Sequence, residues 1–359
     1  MAYSSSPQKV REKRSISGTR AHSDDRSAWL IRCRAGLGSV ALDELRFRKI
    51  ISKRSSVFTL KQRDHDLILL AARVERPPSA ILRIPEQVLD CLAYGRYKIS
   101  NAQIARLANK LKAEQKRFRI AVTAAGTHFV RQDFERYLER ELRSHGVVFS
   151  EASKDLLWVF CIDEAYYIGL ERFHASQAPG RVYRVVERPG SLPPTIAAAM
   201  AFLGIPGSQE VVLDPVCGSG TLLAEAFEYA GGGSFVGVDL DPEAIYAAQK
   251  NLAHIPQHKL VCGDGTRTDL PPHSVTLFLA NLPFGKQFGD KSTNASLYRS
   301  ILSEMIRLGS RDGWRAVLLS SDTEAIGASF NSSPELKCRK SVRLKVRGEW
   351  AQIYMYVPT

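Results

Sequence analysis

The pattern of apolar and polar positions changes character near residue 195. Before it, short apolar runs alternate with amphipathic stretches. Trp29 to Cys33 reads as a strand, and Val40, Leu42, Leu45 and Phe47 read as a helix, with Gly36 and Gly38 marking the turn between them. "SSVFTL" (55–60) and "LILLAARV" (67–74) predict strands, and "PEQVLDCLAYG" (85–95) a short helix. Ile104, Leu107 and Leu111 recur at helical spacing behind Asn101, which predicts a capped helix over 101–117. "FRIAV" (118–122) predicts a strand. A second helix within 128–146 carries Val130, Phe134, Leu138 and Leu142 inward and stops at Gly146. "LLWVFCID" (156–163) and "AYYIGLERF" (165–173) predict a hairpin.

Residues 175–194 hold four prolines and read as a boundary. Thr195 is the expected cap of "IAAAMAFL" (196–203), with Gly204 as its stop. From Glu210 onward the chain repeats strand, Gly or Asp, helix, which predicts a largely parallel sheet flanked by helices. No internal repeat is visible. The expected fold is thus α+β in the first half and an α/β Rossmann-like domain over 195–359, joined by a linker at 176–194.

Charge sharpens this division. The net charge is +13. Residues 1–26 hold six Lys/Arg against three Asp/Glu, residues 27–178 hold 26 against 17, and residues 179–359 hold 18 against 17. A basic first half suits a polyanion, because Lys and Arg neutralise phosphates and release counterions. Arg131, Arg136, Arg140 and Arg143 fit either of two roles: lining an RNA groove, or pairing with Glu135, Glu139 and Glu141 on a solvated face. Residues 1–26 are Ser-rich and nearly devoid of aliphatic side chains, so they read as a disordered basic tail. Glu12, Asp24 and Asp25 argue against an organelle transit peptide. The six cysteines are scattered without metal-ligand spacing, no apolar run reaches the roughly 18–20 residues of a membrane helix, and the first residues are not of signal-peptide type. These features set the expectation of a cytoplasmic protein with free thiols and no metal.

Candidate chemistry begins at "VVLDPVCGSGTLLAEAF" (211–227), where a strand ends at Asp214, a Gly-rich turn follows and a helix starts near Thr221. Small residues let backbone approach a ligand, and the helix start offers unpaired N–H groups. A phosphate loop needs a Lys after its last glycine, and a dinucleotide site needs G-x-G-x-x-G; Cys217-Gly218-Ser219-Gly220-Thr221 continues into Leu222 and fits neither. S-adenosylmethionine, with an amino acid, a ribose and an adenine, fits better. Asp239 ends the next strand 25 residues after Asp214, placed to accept from ribose hydroxyls. Asp264 follows a third strand, placed to accept from an adenine amino group. Leu240 and Gly265, their immediate neighbours, join the candidate cofactor set.

The run Val275 to Leu279 then leads into "NLPFG", 67 residues after Asp214. Asn281, Leu282, Pro283 and Phe284 resemble the [D/N]-P-P-[F/Y] motif of methyltransferases acting on an amino nitrogen attached to a planar system, departing from it at Leu282. The lone pair of such a nitrogen is delocalised. Two acceptors on its N–H bonds, the Asn281 side-chain oxygen and the Leu282 carbonyl, favour a pyramidal nitrogen able to attack a methyl group. Pro283 fixes that carbonyl, and Phe284 stacks on the base. Asn281 also borders the cofactor.

The resemblance extends over about residues 28–358. "AWLIRCRAGLGSVALDELRFR", "RFRIAVTAAGTHFVRQDFERYLERELRSHG", "GRVYRVVERPGSLPPTIAAAMAFLG" and "NLPFGKQFG" are similar to the THUMP-containing guanine-N2 RNA methyltransferases. The resemblance implies a ferredoxin-like domain over 27–84 and a THUMP RNA-binding domain over 85–175. It implies a target guanosine in the acceptor-stem region of tRNA, with THUMP on the single-stranded 3′ end. It also implies that Thr195 lies near the cofactor, that 286–298 forms a loop over the base, and that some members need a small activating subunit. Ribosomal RNA guanine-N2 or RNA adenine-N6 methylation, protein glutamine methylation and a non-catalytic RNA-binding role stay open at this point.

Overall fold

The computed structural model describes residues 28–52, 55–61, 65–71, 82–125, 128–174, 181–283 and 291–359. The tail expected over 1–26, the end of the strand expected over 67–74, and Phe284 lie outside the described residues.

The first half forms strands β1 (Ala28–Arg34), β2 (Ser56–Lys61), β3 (His65–Ala71), β4 (Gln87–Arg96), β5 (Arg119–Ala125), β6 (Leu156–Ile162) and β7 (Ala165–His174), with helices α1 (Gly38–Phe47), α2 (Asn101–Ala113) and α3 (Arg131–Ser144). Among the described residues these strands make one sheet in the order β2-β3-β1-β4-β7-β6-β5. Only β5–β6 is parallel; the other pairs are antiparallel. Residues 27–84 and 85–175 therefore share a continuous sheet. β4 joins them, pairing with β1 on one side and β7 on the other.

The helix expected over 85–95 is a strand. Val88, Leu89 and Leu92 carry helical spacing, but Gln87, Val88, Leu89 and Cys91 are all buried because β4 is covered on both faces. Two-sided burial erases the alternation that marks a half-exposed strand. The α2 cap is Ser100 rather than Asn101. The Ser100 hydroxyl accepts from the Gln103 amide at 3.3 Å while Gln103 Oε1 accepts from the Ser100 amide at 3.0 Å, a reciprocal capping box. On α3, Arg143 pairs with Glu139, Arg140 with Glu141 and Arg136 with Asp133, all on the surface. Such pairs contribute about 0.2–1 kcal/mol each.

The second half contains α4 (Pro194–Gly204), β8 (Val211–Asp214), α5 (Thr221–Ala230), β9 (Ser234–Asp239), α6 (Pro242–Asn251), β10 (His258–Cys262), β11 (Leu277–Asn281), α7 (Lys291–Leu308), β12 (Arg315–Ser320), α8 (Thr323–Gly327), β13 (Leu336–Val346) and β14 (Glu349–Pro358). The strand order is β10-β9-β8-β11-β12-β14-β13. The five strands from β10 to β12 are parallel, and the β13–β14 hairpin adds an antiparallel edge. Strand order reverses between β8 and β11, so a crevice opens beyond their carboxyl ends. α7 begins at Lys291, so the second part of the loop expected over 286–298 is helical. Among the described residues no helix is long and apolar enough to cross a membrane.

Thr195 does not cap α4. Pro193 occupies the cap position and Pro194 the first turn, where a missing N–H costs nothing; Thr195 is one residue further in and buried. The helix ends through Ile205, in left-handed conformation at φ 43°, not through Gly204. Gly204 answers a packing need, since a Cβ there would meet Leu277 Cδ1 at 3.0 Å. α4 is buried along its length, in a core shared with Ile31, Leu45, Val317 and Ile353, so the two halves are packed around it.

A buried polar cluster ties the same junction. Glu225, fully buried on α5, accepts from Arg83 Nε at 2.6 Å, Arg181 Nε at 2.9 Å and the Tyr183 hydroxyl at 2.7 Å. Glu44 on α1 accepts from the Arg83 and Ile84 amides at 3.0 and 3.1 Å and from the Tyr229 hydroxyl at 2.7 Å. Burial raises the Glu44 carboxyl above its ordinary pKa, against these hydrogen bonds.

Candidate active site

β8 delivers Asp214 to the crevice, and the turn after it is built to hold backbone in place. Gly218 and Gly220 sit at φ 53° and 81°, a region costly for side-chain-bearing residues. The Gly218 amide donates to Asp239 Oδ2 at 2.8 Å, and the Cys217 amide to the Val238 carbonyl at 2.9 Å. The Asp239 Oδ1 atom accepts from the Asp241 amide at 3.0 Å. Asp239 therefore joins the glycine turn to the β9–α6 turn, and each of its oxygens keeps a further lone pair for a ligand. α5 starts without a side-chain cap. Its first N–H groups, unpaired within the helix, favour an electron-rich ligand group.

Asp264 is exposed and takes the Thr266 amide and hydroxyl on one oxygen, at 2.9 and 2.7 Å. Beside it, a Cβ on Gly265 would stand 1.9 Å from the Pro215 carbonyl oxygen, so only glycine lets the two turns meet. Leu240 is 73% exposed and supplies an apolar wall. Asp214 is buried, and desolvation raises its carboxyl well above the ordinary range, despite a hydrogen bond from the Val216 amide at 3.1 Å and with help from the Asp239 charge. Burial also raises the Cys217 thiol. Its sulfur donates to the Gly218 carbonyl at 3.7 Å, so it is a packed thiol rather than a nucleophile.

Asn281 closes β11 with its side-chain oxygen buried and, among the described residues, without a hydrogen-bond partner. Leu282 follows, 1% exposed, its amide donating to the Leu319 carbonyl at 3.0 Å and its side chain in the core with Val236 and Tyr298. The Pro283 carbonyl accepts from the Tyr298 hydroxyl at 2.9 Å, and that hydroxyl also bonds Ser320 Oγ at 2.9 Å. The motif is thus fastened from α7 and β12.

These parts line one cleft of about 650 Å³, within the usual size of small-molecule sites. It gathers Asp214, Cys217, Gly218, Thr221, Asp239, Leu240, Asp264, Gly265, Asn281, Leu282 and Pro283. Thr195 and Gly220 are not among its lining residues: Thr195 is inside the core, and Gly220 is packed on Leu252. Three segments escaped the sequence reading. Residues 188–193, read as linker, form a wall: Arg188 pairs with Asp241 and Glu243, and Ser191 bonds Ser219 Oγ at 3.0 Å. Ser321 lines the cleft after β12. So does the tip of the β13–β14 hairpin, through Val346, Arg347, Glu349 and Ala351. An Arg amid the prolines was the one available signal for the first; the hairpin tip carried none, because only sheet order brings it to Asn281.

The donor set fits S-adenosylmethionine. Carboxylates at three strand ends, uncapped helix N–H groups and open space beside Gly218 match an amino acid, a ribose and an adenine.

Residues 181–352 match the model of the RMKL-like methyltransferase domain family. The human tRNA (guanine(6)-N(2))-methyltransferase THUMP3 is 30% identical over 187 residues, 48% of this chain and 37% of that protein. The human U6 snRNA (guanine-N(2))-methyltransferase THUMPD2 is 28% identical over 213 residues, 57% of this chain and 41% of that protein. The chain thus spans less than half the length of these curated relatives. TrmN from Thermus thermophilus shares the fold across both halves, with a TM-score of 0.77, 20% identity and coverage of 93% of this chain and 100% of that one. Site geometry and sequence comparison agree: residues 181–352 are similar to RMKL-like methyltransferase domains, and the residues lining the cleft fit S-adenosylmethionine as cofactor.

Proposed function

We propose that the chain methylates the exocyclic N2 of a guanosine in RNA, with tRNA as substrate and the acceptor-stem region as target. The observation that carries this reading is the Asn281 side-chain oxygen, an acceptor buried at the cleft with no donor among the described residues. An orphaned buried acceptor costs about 1–3 kcal/mol, a cost recovered when a substrate N–H arrives. S-adenosylmethionine, held by Asp214, Asp239, Asp264 and the turn at Gly218, would supply an electrophilic methyl group, with S-adenosylhomocysteine as the leaving group. The protein's part is to hold the nitrogen. Asn281 and the Leu282 carbonyl take its two N–H bonds and favour a pyramidal geometry, the lone pair forms the N–C bond, and one proton passes to solvent. Leu282 acts through its backbone, which suits its buried side chain. A base inside a helix must leave its stack first, at a cost of a few kcal/mol.

Named guanine-N2 methyltransferases among the relatives support guanine over adenine or glutamine. The basic first half supports an RNA partner. In this reading residues 85–175 act as a THUMP domain on the single-stranded 3′ end, and 27–84 as a ferredoxin-like spacer. U6 snRNA is the second reading, favoured by the longer stretch of this chain that aligns with that relative. Incubation of the full chain with labelled cofactor and either tRNA, U6 snRNA or total protein, followed by nucleoside mass spectrometry, separates them. N2-methylguanosine in tRNA is expected; label confined to protein, or N6-methyladenosine, overturns the proposal.

A further inference from the structure

We propose that the β13–β14 hairpin is a second RNA-contact surface at the mouth of the cleft, where Trp350 stacks a base adjoining the target nucleotide and Arg343, Lys345 and Arg347 face its phosphates. This inference rests on the RNA reading above.

Residues 179–359 are nearly neutral as a whole, but six of their 18 Lys/Arg lie within 337–347, where there is no Asp or Glu. The remaining twelve face seventeen acidic residues, so the hairpin is a basic strip on an otherwise acidic half. Register divides its faces. Val342, Leu344, Ala351 and Ile353 enter the core. Lys345 stands opposite Trp350 and Arg343 opposite Gln352, on the other face. The Arg343 guanidinium lies 4.4 Å from the Trp350 ring centroid, and Lys345 Nζ lies 5.7 Å from it. Trp350 is nevertheless 48% exposed. Among the described residues Arg343 makes no ion pair with a carboxylate. A large aromatic with cations stacked on it, left half in solvent, answers no packing need. It matches the platforms on which single-stranded bases stack between aromatic and guanidinium planes.

Position supports the assignment. Val346, Arg347, Glu349 and Ala351 line the same cleft as Asn281. β12 lies between β11 and β14, with Asn281 beside Leu319 and Leu319 beside Ile353. Two strand spacings and three residues of rise place Trp350 roughly 14 Å from Asn281. A nucleotide flanking the target spans that gap. A membrane or an acidic peptide offers the charge, but neither offers planar bases to the ring.

The test uses the full chain as wild type, W350A, W350F and R343Q. It measures RNA binding to unfractionated tRNA across salt concentrations, methyl transfer, and cofactor affinity. W350A is expected to raise the RNA Kd and KM at least about 5-fold, with kcat at saturating RNA and cofactor affinity kept, and W350F to restore most of the loss. R343Q is expected to flatten the slope of log affinity against log salt by about 0.7. Methylation with wild-type RNA affinity and salt slope in both W350A and R343Q overturns this proposal alone. RNA binding that depends on Trp350 without methyl transfer to RNA sustains it and overturns the enzymatic reading.

Discussion

Two buried polar regions of the molecule are built on opposite terms. At the junction, Glu225 is saturated: three donors from two segments converge on its carboxylate within 2.9 Å. At the cleft, the Asn281 side-chain oxygen is equally hidden and, among the described residues, has no donor. A satisfied buried group fixes structure, because losing any partner strands the others. An unsatisfied one is a standing cost that only a ligand relieves. The same fold thus uses burial to hold its halves together in one place and to prepare for a substrate in the other.

The strongest way to break this contrast is Glu225→Ala. It takes the shared acceptor away from Arg83 Nε, Arg181 Nε and the Tyr183 hydroxyl, and is expected to destabilise the protein by about 3–5 kcal/mol in urea unfolding, with methyl transfer falling only as the folded fraction falls. Asn281→Ala should behave inversely. Turnover is expected to drop at least about 100-fold, or ~2.7 kcal/mol of transition-state stabilisation. Cofactor affinity should be kept, and stability unchanged or higher, since no donor among the described residues is stranded. A variant that unfolds instead would make Asn281 a structural residue.

How much of this contrast was legible beforehand depends on range. The Asp214 turn, Asp239, Asp264 and Asn281 were readable because each follows its own strand, so local pattern locates it in the crevice. The Glu225 cluster was not, because Arg83 and Arg181 lie 142 and 44 residues away along the chain. β4 was misread for the same reason: its strand character comes from β1 and β7, not from its own residues. Thr195 looked like a cap because the prolines before it looked like linker, whereas Pro194 already begins the helix.

Glu44→Gln sharpens the junction side. The folded-state pKa of Glu44 is raised, so its protonated form suits the fold. Stability from this group is greatest below the ordinary carboxylate pKa and declines as pH rises toward the raised value. Glutamine puts an amide NH2 against donors and is expected to cost about 1–3 kcal/mol, but it should remove that part of the pH slope in thermal melts. Tyr298→Phe is the mildest change. It takes away the hydroxyl that fastens Pro283 and should lower kcat about 5-fold, equivalent to one net hydrogen bond of ~1 kcal/mol, with cofactor affinity unaltered. An unchanged kcat would mean that Pro283 is held without it.

The central claim concerns one atom on one base. Wild type and Asn281→Ala, each saturated with labelled S-adenosylmethionine, are to be mixed with excess tRNA in a single-turnover reaction, and the digested nucleosides resolved by mass spectrometry. The account predicts N2-methylguanosine from the wild type and at least a 100-fold slower rate from the variant. Label on adenosine or on protein, or a variant as fast as the wild type, would contradict it.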